Sequence, residues 1–238
     1  MMNKKIIAVA LIIAPLIMAF KAYKRPTGKL IIHFVHTADN KKICKDSTYS
    51  NAFGEQYSIT KLKYYVSNMQ VDNFKENNSY HLIDAFAEDS IVLTLPEGKY
   101  NNIQFLLGVD SAKNCSGAQS GALDPLNDMF WTWNSGYVMF KLEGTSPNST
   151  ADLQRIEQHI GGYKGPYKTM RQIQLPFNQS IEIALHKISE AYINVNLDKY
   201  WHGKNDLSIA AQPLLMVIGE KSKNAADNFI GMFSVIEK

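Results

Sequence analysis

The stretch YSITKLKYYVSNMQV, residues 57–71, decides the fold class of this chain. It is rich in tyrosine, valine, isoleucine and threonine, the aromatic and β-branched residues that favour strands, and apolar and polar residues alternate over much of its length. Similar runs recur on both sides of it, separated by turn residues. The predicted strands are 30–37, 57–71, 81–86, 91–95, 100–109, 137–142, 171–175, 181–185 and 192–197.

Eight or nine strands with few helical stretches between them predict a mainly β protein, an antiparallel β-sandwich rather than a βαβ arrangement. Two segments have helical character. Residues 150–158 run into His159, and residues 222–233 repeat apolar side chains at a spacing of three to four, with Ser222 as the predicted N-cap of a short C-terminal helix. Residues 110–134 form a long loop rich in Gly, Ser, Asn and Asp that becomes abruptly aromatic. Loops of that length are usually functional or packed against the domain.

The N-terminus is typical of an exported protein. Lys4 and Lys5 precede an apolar run over residues 6–20 that only Pro15 interrupts, which is the pattern of a secretory signal. As a helix this run would span roughly 22 Å, short of the ~30 Å hydrocarbon core, so no stable membrane span is expected. Residues 1–22 are therefore predicted to be a signal peptide that is either cleaved or kept as an N-terminal anchor.

Removal of this segment would leave a nearly neutral chain. The 238 residues carry a formal charge of +3, and residues 1–22 contribute three lysines and no acid. The charge balance therefore gives no reason to expect a nucleic-acid partner. The remainder is predicted to be a linker at 23–29 and a single domain at 30–238, a length at which all-β chains commonly fold as one unit.

The chain has two cysteines, Cys44 and Cys115. In an oxidising compartment they would form a disulfide or stay two unrelated thiols, and a thiolate would also suit a soft copper ion. A disulfide would close a loop of about 70 residues and contribute roughly 4 kcal/mol on the chain-entropy model. Which alternative holds depends on whether the two sulfur atoms meet.

Histidines are the main candidates for chemistry. The chain has no hydrolase, phosphate-loop, zinc-protease or c-type haem signature, so a non-enzymatic function is predicted. His33 and His36 lie on the first predicted strand, where residues three apart point to opposite faces and do not chelate one ion together. His159 lies just before two glycines that allow a sharp turn, so its ring either binds a ligand or caps the preceding helical stretch.

The long loop offers oxygen atoms and aromatic rings. Asp110 and the stretch DPLND at 124–128 either gather oxygens around a calcium ion or form Asx-turns, and the turns are favoured because the EF-hand spacing is absent. The aromatic residues are predicted to pack the loop, with a redox-active tryptophan as the alternative. They are Phe130, Trp131, Trp133 and Tyr137.

Several motifs resemble those of MbnP-like proteins. They are YSITKLKYYVSN (57–68), GVDS (108–111), GALDPLN (121–127), MFWTWNSGY (129–137), KLEG (141–144), HIGGY (159–163) and the stretch 226–233. Together they extend over nearly all of the chain from residue 30 onward. The resemblance implies an exported, sandwich-like protein that binds copper. It also implies a site of histidines with kynurenine, an oxidised tryptophan made by a dihaem peroxidase-type (MbnH-like) partner.

The resemblance extends to particular residues. His36 matches the histidine that ends the family's first strand, and His159 matches the histidine of the Gly-Gly turn, so these two are the implied copper ligands. Two imidazoles suit Cu(I) in a near-linear arrangement, or copper in either oxidation state with a further ligand. His33 is a further candidate, and so is Met216, because the C-terminal stretch that carries this soft ligand could return to the site.

The oxidised tryptophan has a less direct counterpart. No tryptophan follows His36 closely, where some copper-binding members carry the modified residue. Trp131 and Trp133 are the remaining candidates, and both belong to the general motif of the family.

These observations predict an exported copper-binding protein for storage, delivery or uptake. Two alternatives stay open. The first is a metal-free β-sandwich that holds a partner with the aromatic loop 130–137, and the second is a substrate protein in which a dihaem enzyme oxidises a tryptophan. If His36 and His159 lie apart or in separate packing environments, the copper interpretation loses its main support.

Overall fold

Strands dominate the part of the chain that the computed structural model describes, which is residues 25–45, 47–117, 119–132 and 134–236. The predicted signal peptide and Trp133 lie outside the described residues. The strands are β1 (Thr27–Ala38), β2 (Lys41–Lys42), β3 (Thr48–Ser50), β4 (Gln56–Val71), β5 (Phe74–Lys75), β6 (Tyr80–Asp84), β7 (Ser90–Pro96), β8 (Gly98–Leu107), β9 (Phe130–Thr132), β10 (Gly136–Thr145), β11 (Arg155–Gly161), β12 (Arg171–Ile183), β13 (Ile188–Asn196), β14 (Leu214–Leu215) and β15 (Phe233–Val235). The helices are α1 (Ser111–Asn114), α2 (Asp198–Trp201), α3 (Glu220–Asp227) and α4 (Phe229–Met232).

These strands form two sheets. Within the described residues, the smaller sheet has the order β15–β13–β1–β2 with β7 also paired to β1. The larger sheet has the order β12–β8–β4–β10–β11–β14, with β3, β5, β6 and β9 attached to it. Most pairs are antiparallel, but β1 pairs with β13 and β11 with β14 in parallel. The predicted mainly β, sandwich-like fold is confirmed, whereas the sheets are mixed and not purely antiparallel.

The main core lies between the inner faces of the two sheets. In β1 every second residue is buried, from Leu30 through Phe34, as the alternation of the sequence predicts. Phe34 meets Tyr64 of β4 and Phe105 of β8, each with ring centroids 6.1 Å apart. Phe233 of β15 packs on the same two rings at 6.0 and 5.4 Å. An edge-to-face aromatic layer therefore joins the two sheets.

The C-terminal helices pack on the larger sheet. The ring of Tyr200 in α2 lies 5.0 Å from that of Phe140 in β10, and Phe229 in α4 lies 5.1 Å from the same ring. The helical character predicted for residues 222–233 is thus confirmed by α3 and α4.

The helical prediction for residues 150–158 is wrong. Apart from a 3₁₀ turn at Asp152–Gln154, the segment enters strand β11. Ala, Leu, Gln and Glu favour a helix there, but Ile156 and Ile160 are buried and alternate with outward residues at the period of a strand. Pairing with β10 and β14 on either side decides the structure.

Three boundaries also differ from the predictions. Strand β1 begins at Thr27, so the last three residues of the predicted linker at 23–29 belong to it. The predicted strands 171–175 and 181–185 are one strand, β12, with an irregular register in between. Gly219, not Ser222, is the N-cap of α3, and Ser222 is buried inside that helix.

Candidate functional site

The outer face of the larger sheet carries a second, smaller apolar cluster. Tyr65 and Tyr137 lie in it with ring centroids 5.5 Å apart, and Phe130 packs on Tyr137 at 5.0 Å. The Tyr137 hydroxyl donates a hydrogen bond to the Leu123 carbonyl at 2.7 Å. The aromatic loop is therefore anchored by packing, as predicted.

Trp131 belongs to this cluster and lies directly over Gly161 of β11. A Cβ atom at Gly161 would lie 2.6 Å from Cζ3 of the indole. Gly161 follows His159 by two residues on the same strand, so the two positions share a face. The partly exposed indole therefore covers the position next to His159.

His159 is held by charged side chains on this outer face. Its Nε2 lies 2.8 Å from Oε1 of Glu143 on β10. Lys61 Nζ lies 3.1 Å from the other oxygen of Glu143 and 2.9 Å from Asp128. Lys141, whose side chain is 5 % exposed, lies 3.0 Å from Asp128. An imidazole, two carboxylates and two ammonium groups thus form one network beside the aromatic cluster.

The network keeps Glu143 ionised. The hydrogen bond with His159 is the largest cause that lowers the pKa of Glu143, to about 2, and Lys61 lowers it further against the opposing effect of burial. An ionised carboxylate favours the tautomer in which His159 carries its proton on Nε2 and donates it to Glu143. The lone pair of the ring is then on Nδ1.

His36 lies in a different environment. It is 2 % exposed on the inner face of β1, and its Nε2 hydrogen-bonds to the Tyr64 hydroxyl at 2.9 Å. Burial, followed by the charge of Lys42, lowers the pKa of His36 to about 4. His36 is therefore a neutral, hydrogen-bonded core histidine.

His36 and His159 do not meet. In the antiparallel register Lys141 pairs with His159, whereas the adjacent residue Phe140 pairs with Tyr64. Paired residues share a face and adjacent residues alternate, so Tyr64, which contacts His36, faces the core and His159 faces outward. The backbone of the larger sheet lies between the two implied copper ligands, and they cannot hold one ion together in this arrangement.

Met216 directly follows the edge strand β14, which pairs with β11 just before His159. The parallel register of the edge strand β14 pairs Gln158 with Leu215, and both are buried. Continued by one residue beyond the end of β14, this register pairs His159 with Met216, and strand alternation would place both side chains on the opposite face of the sheet. Met216 is 41 % exposed.

The chain after β14 continues alongside β11 beyond Met216. Cγ2 of Ile218 lies 3.3 Å from the position a Cβ would take at Gly162. Among the described residues, no group of three or more His, Cys, Asp or Glu side chains could hold a metal ion.

His33 points away from His36, as predicted for residues three apart on a strand. Its ring stacks on Tyr192 with centroids 4.7 Å apart, and its Nε2 lies 3.7 Å from Glu190. These contacts are on the outer face of the smaller sheet. His33 is therefore not brought to either of the other candidate histidines.

The acidic residues of the long loop have separate structural roles. Asp110 caps α1 and accepts a 2.5 Å hydrogen bond from the Tyr80 hydroxyl. Asp124 accepts from the Leu126 amide, and Asp128 pairs with lysines. The geometry matches the turn interpretation, and these oxygens do not converge as a calcium site would require.

The two cysteines are not joined in the structure. Cys44 and Cys115 are both free and exposed.

Sequence reasoning missed Glu143, Lys61 and Lys141 of this network, and Glu143, the partner of His159, lies within the KLEG motif. Its signal was the spacing Lys141-x-Glu143 on a strand, which puts both charges on one face. Recognising it as the partner of His159 required the pairing of β10 with β11, which only the structure provides.

The fold defines a two-sheet β-sandwich domain with a mixed larger sheet. A model of the MbnP family matches residues 27–218, and the chain belongs to that family. Among solved structures it is similar to MbnP from Methylosinus trichosporium, with a TM-score of 0.59 and 11 % identity over 88 % of this chain and 98 % of that chain. At that identity the likeness shows the fold. No curated protein matches the sequence.

Among the residues that the structure describes, no helix is both long and apolar enough to cross a membrane.

Proposed function

We propose that this MbnP-family chain is an exported, non-enzymatic copper-binding protein that holds Cu(I) through His159 and Met216. The observation that supports the proposal is the path of β14 beside β11, because its register, continued by one residue, pairs His159 with the partly exposed Met216. Thioether sulfur selects Cu(I), and imidazole is a good copper ligand as well. Storage, delivery and uptake in the cell envelope would all use such a site.

Glu143 supports this assignment. Metal-binding histidines almost always donate their second ring N–H to a carboxylate, a backbone carbonyl or water, which orients the ring and raises its basicity. His159 has this arrangement with Glu143 at 2.8 Å, and Lys61 holds the carboxylate in turn. His159 would then bind the metal through Nδ1. Export is supported by the charged and apolar pattern of residues 1–22.

The test is the Cu(I) affinity of the purified protein, measured by competition with a Cu(I)-selective chelator. We expect one bound copper ion, and a large loss of affinity in both His159→Ala and Met216→Leu. His202→Ala, a change at an exposed histidine elsewhere, and Val217→Leu, a change beside Met216, are the matched controls and should retain copper. His36→Gln should retain it as well.

Two outcomes would contradict the proposal. If the protein binds no copper, a metal-free binding module that uses the aromatic loop 130–137 becomes the better description. If the protein binds copper and neither His159→Ala nor Met216→Leu changes the affinity, the ligand assignment is wrong.

A second function, as the substrate of a dihaem peroxidase-type enzyme, is supported by Trp131. Its indole is partly exposed and lies over Gly161, two residues after His159 on β11. Conversion to kynurenine would bring a ketone oxygen and an aryl amine to the edge of the proposed site. Peptide mass spectrometry after coexpression with such an enzyme should find the kynurenine mass at Trp131, and its absence there would exclude this function for that residue.

A further inference from the structure

Residues 208–218, here called the strap, connect the region after α2 to the start of α3 and contain both β14 and Met216. Strand β14 is only two residues long. A strand of two residues at the edge of a sheet makes too few backbone hydrogen bonds to fix its register, so other contacts must keep the strap in place. Two buried polar side chains that take no part in the proposed copper site make these contacts.

Glu55 holds the first part of the strap. One carboxylate oxygen accepts from the Ser208 hydroxyl at 2.7 Å and the Ala210 amide at 2.9 Å. The other accepts from the Ile209 amide at 2.8 Å and from the side-chain amide of Asn51 at 2.6 Å. Burial alone would raise the pKa of Glu55, but these hydrogen bonds outweigh it and lower the pKa. The carboxylate, 6 % exposed, is thus satisfied by four donors, three of which lie in the strap.

Gln158 holds the middle of the strap. Its side-chain N–H groups donate to the carbonyls of Gln212 at 2.8 Å and Pro213 at 2.9 Å, and its carbonyl accepts from the Tyr200 hydroxyl at 3.0 Å. Gln158 is 1 % exposed and immediately precedes His159 on β11. Its side chain therefore binds the strap from the inner face, while that of His159 points to the outer face.

We infer that Glu55 and Gln158 are positioning residues that fix the strap and thereby set Met216 beside His159. The inference rests on the proposed function, because it assigns the geometry of the soft ligand to two residues that never touch the metal. Both residues act on the backbone of the strap. Their loss should therefore affect copper binding only through Met216.

The first test uses the metal-free full chain and hydrogen exchange. In Glu55→Gln one acceptor oxygen becomes an NH₂ group that faces two donors, so the hydrogen bonds to the strap cannot all form. We expect faster amide exchange across 208–218, with the rest of the domain unchanged. Glu76→Gln is the matched control, because it alters a carboxylate bound to His81 on another part of the larger sheet. Unchanged protection of the strap in Glu55→Gln would overturn the inference.

The second test is a double-mutant cycle on Cu(I) affinity. Glu55→Gln should weaken binding roughly 10-fold or more, as losses of residues that orient metal ligands do. In the Met216→Leu background the same change should add almost nothing, since the ligand that it positions is already gone. An equal loss in both backgrounds would mean general destabilisation and would overturn the inference.

Gln158→Leu, which keeps the side-chain size, should behave as Glu55→Gln does in both tests. Failure of the wild-type chain to bind Cu(I) would overturn the proposed function. Hydrogen exchange reports on the strap independently of that result, so the two failures can be told apart.

Discussion

At the scale of single residues, His36 and His159 show how strand position determines what an imidazole can do. His36 points into the core and is neutral because burial lowers its pKa to about 4. His159 points outward and is oriented by Glu143. The two side chains therefore lie on opposite sides of the larger sheet and have different partners.

Replacing His36 should remove a pH dependence of stability. The pKa of His36 falls from 6.5 unfolded to about 4 folded, so the unfolded chain binds more protons and stability is lost as pH falls through this window. Between pH 7.5 and 5 this contribution is about 2 kcal/mol. His36→Gln keeps a polar partner for Tyr64 but has no group that titrates in this window. Lowering the pH from 7.5 to 5 should therefore reduce its free energy of unfolding, measured with urea, by about 2 kcal/mol less than that of the wild type. Identical pH profiles would contradict the neutral state assigned to His36.

Gly161 is predicted to be essential for the packing of Trp131. A methyl group there would collide with the indole at 2.6 Å and approach the Tyr137 carbonyl at 3.1 Å. Gly161→Ala should destabilise the protein by about 1–3 kcal/mol and shift tryptophan emission to longer wavelength as the indole is displaced. Gly231→Ala is the control, because its Cβ would meet nothing within 4 Å. If Gly161→Ala and Gly231→Ala change stability and tryptophan emission equally, the close approach of Trp131 to Gly161 does not contribute to stability.

At the scale of elements, sequence periodicity identified the strands that face a core on one side. Strands β1 and β4 were predicted to within a few residues because their alternation is long. Strand β11 was missed, since good helix formers mask a short period-two pattern. Strand β14 has no recognisable signal in two residues, and its parallel pairing depends on contacts far apart in the sequence.

Helix α3 is predicted to depend on an ion pair with β12. Arg171 donates from Nε at 3.0 Å and from Nη2 at 2.5 Å to one oxygen of Asp227, and both side chains are mostly buried. Asp227→Asn should cost about 2 kcal/mol, typical of hydrogen bonds to charged groups, and should speed amide exchange in α3. Asp206→Asn, at an exposed pair with His202, should change stability by less than about 0.5 kcal/mol. Equal effects of the two changes would contradict this role.

At the scale of the whole molecule, sequence reasoning was sufficient to identify the family and the sandwich, but not to assemble the site. The recurring strand pattern predicted the sandwich, the motifs predicted the family, and His159 and Met216 were both candidate ligands. Which candidates share a face depends on the register of β10, β11 and β14. The spacing of residues along the sequence does not give this register, so it could not show that His36 faces the core. The proposed copper site therefore lies on the outer face of the larger sheet.

The most direct test of a copper site at His159 and Met216 is copper K-edge X-ray absorption of the Cu(I)-loaded full-length chain, compared with Met216→Leu. We predict scattering from both sulfur and imidazole nitrogen in the wild type, with the sulfur contribution absent from the variant. A copper ion bound by nitrogen or oxygen alone in the wild type, or a sulfur signal that survives Met216→Leu, would contradict this site.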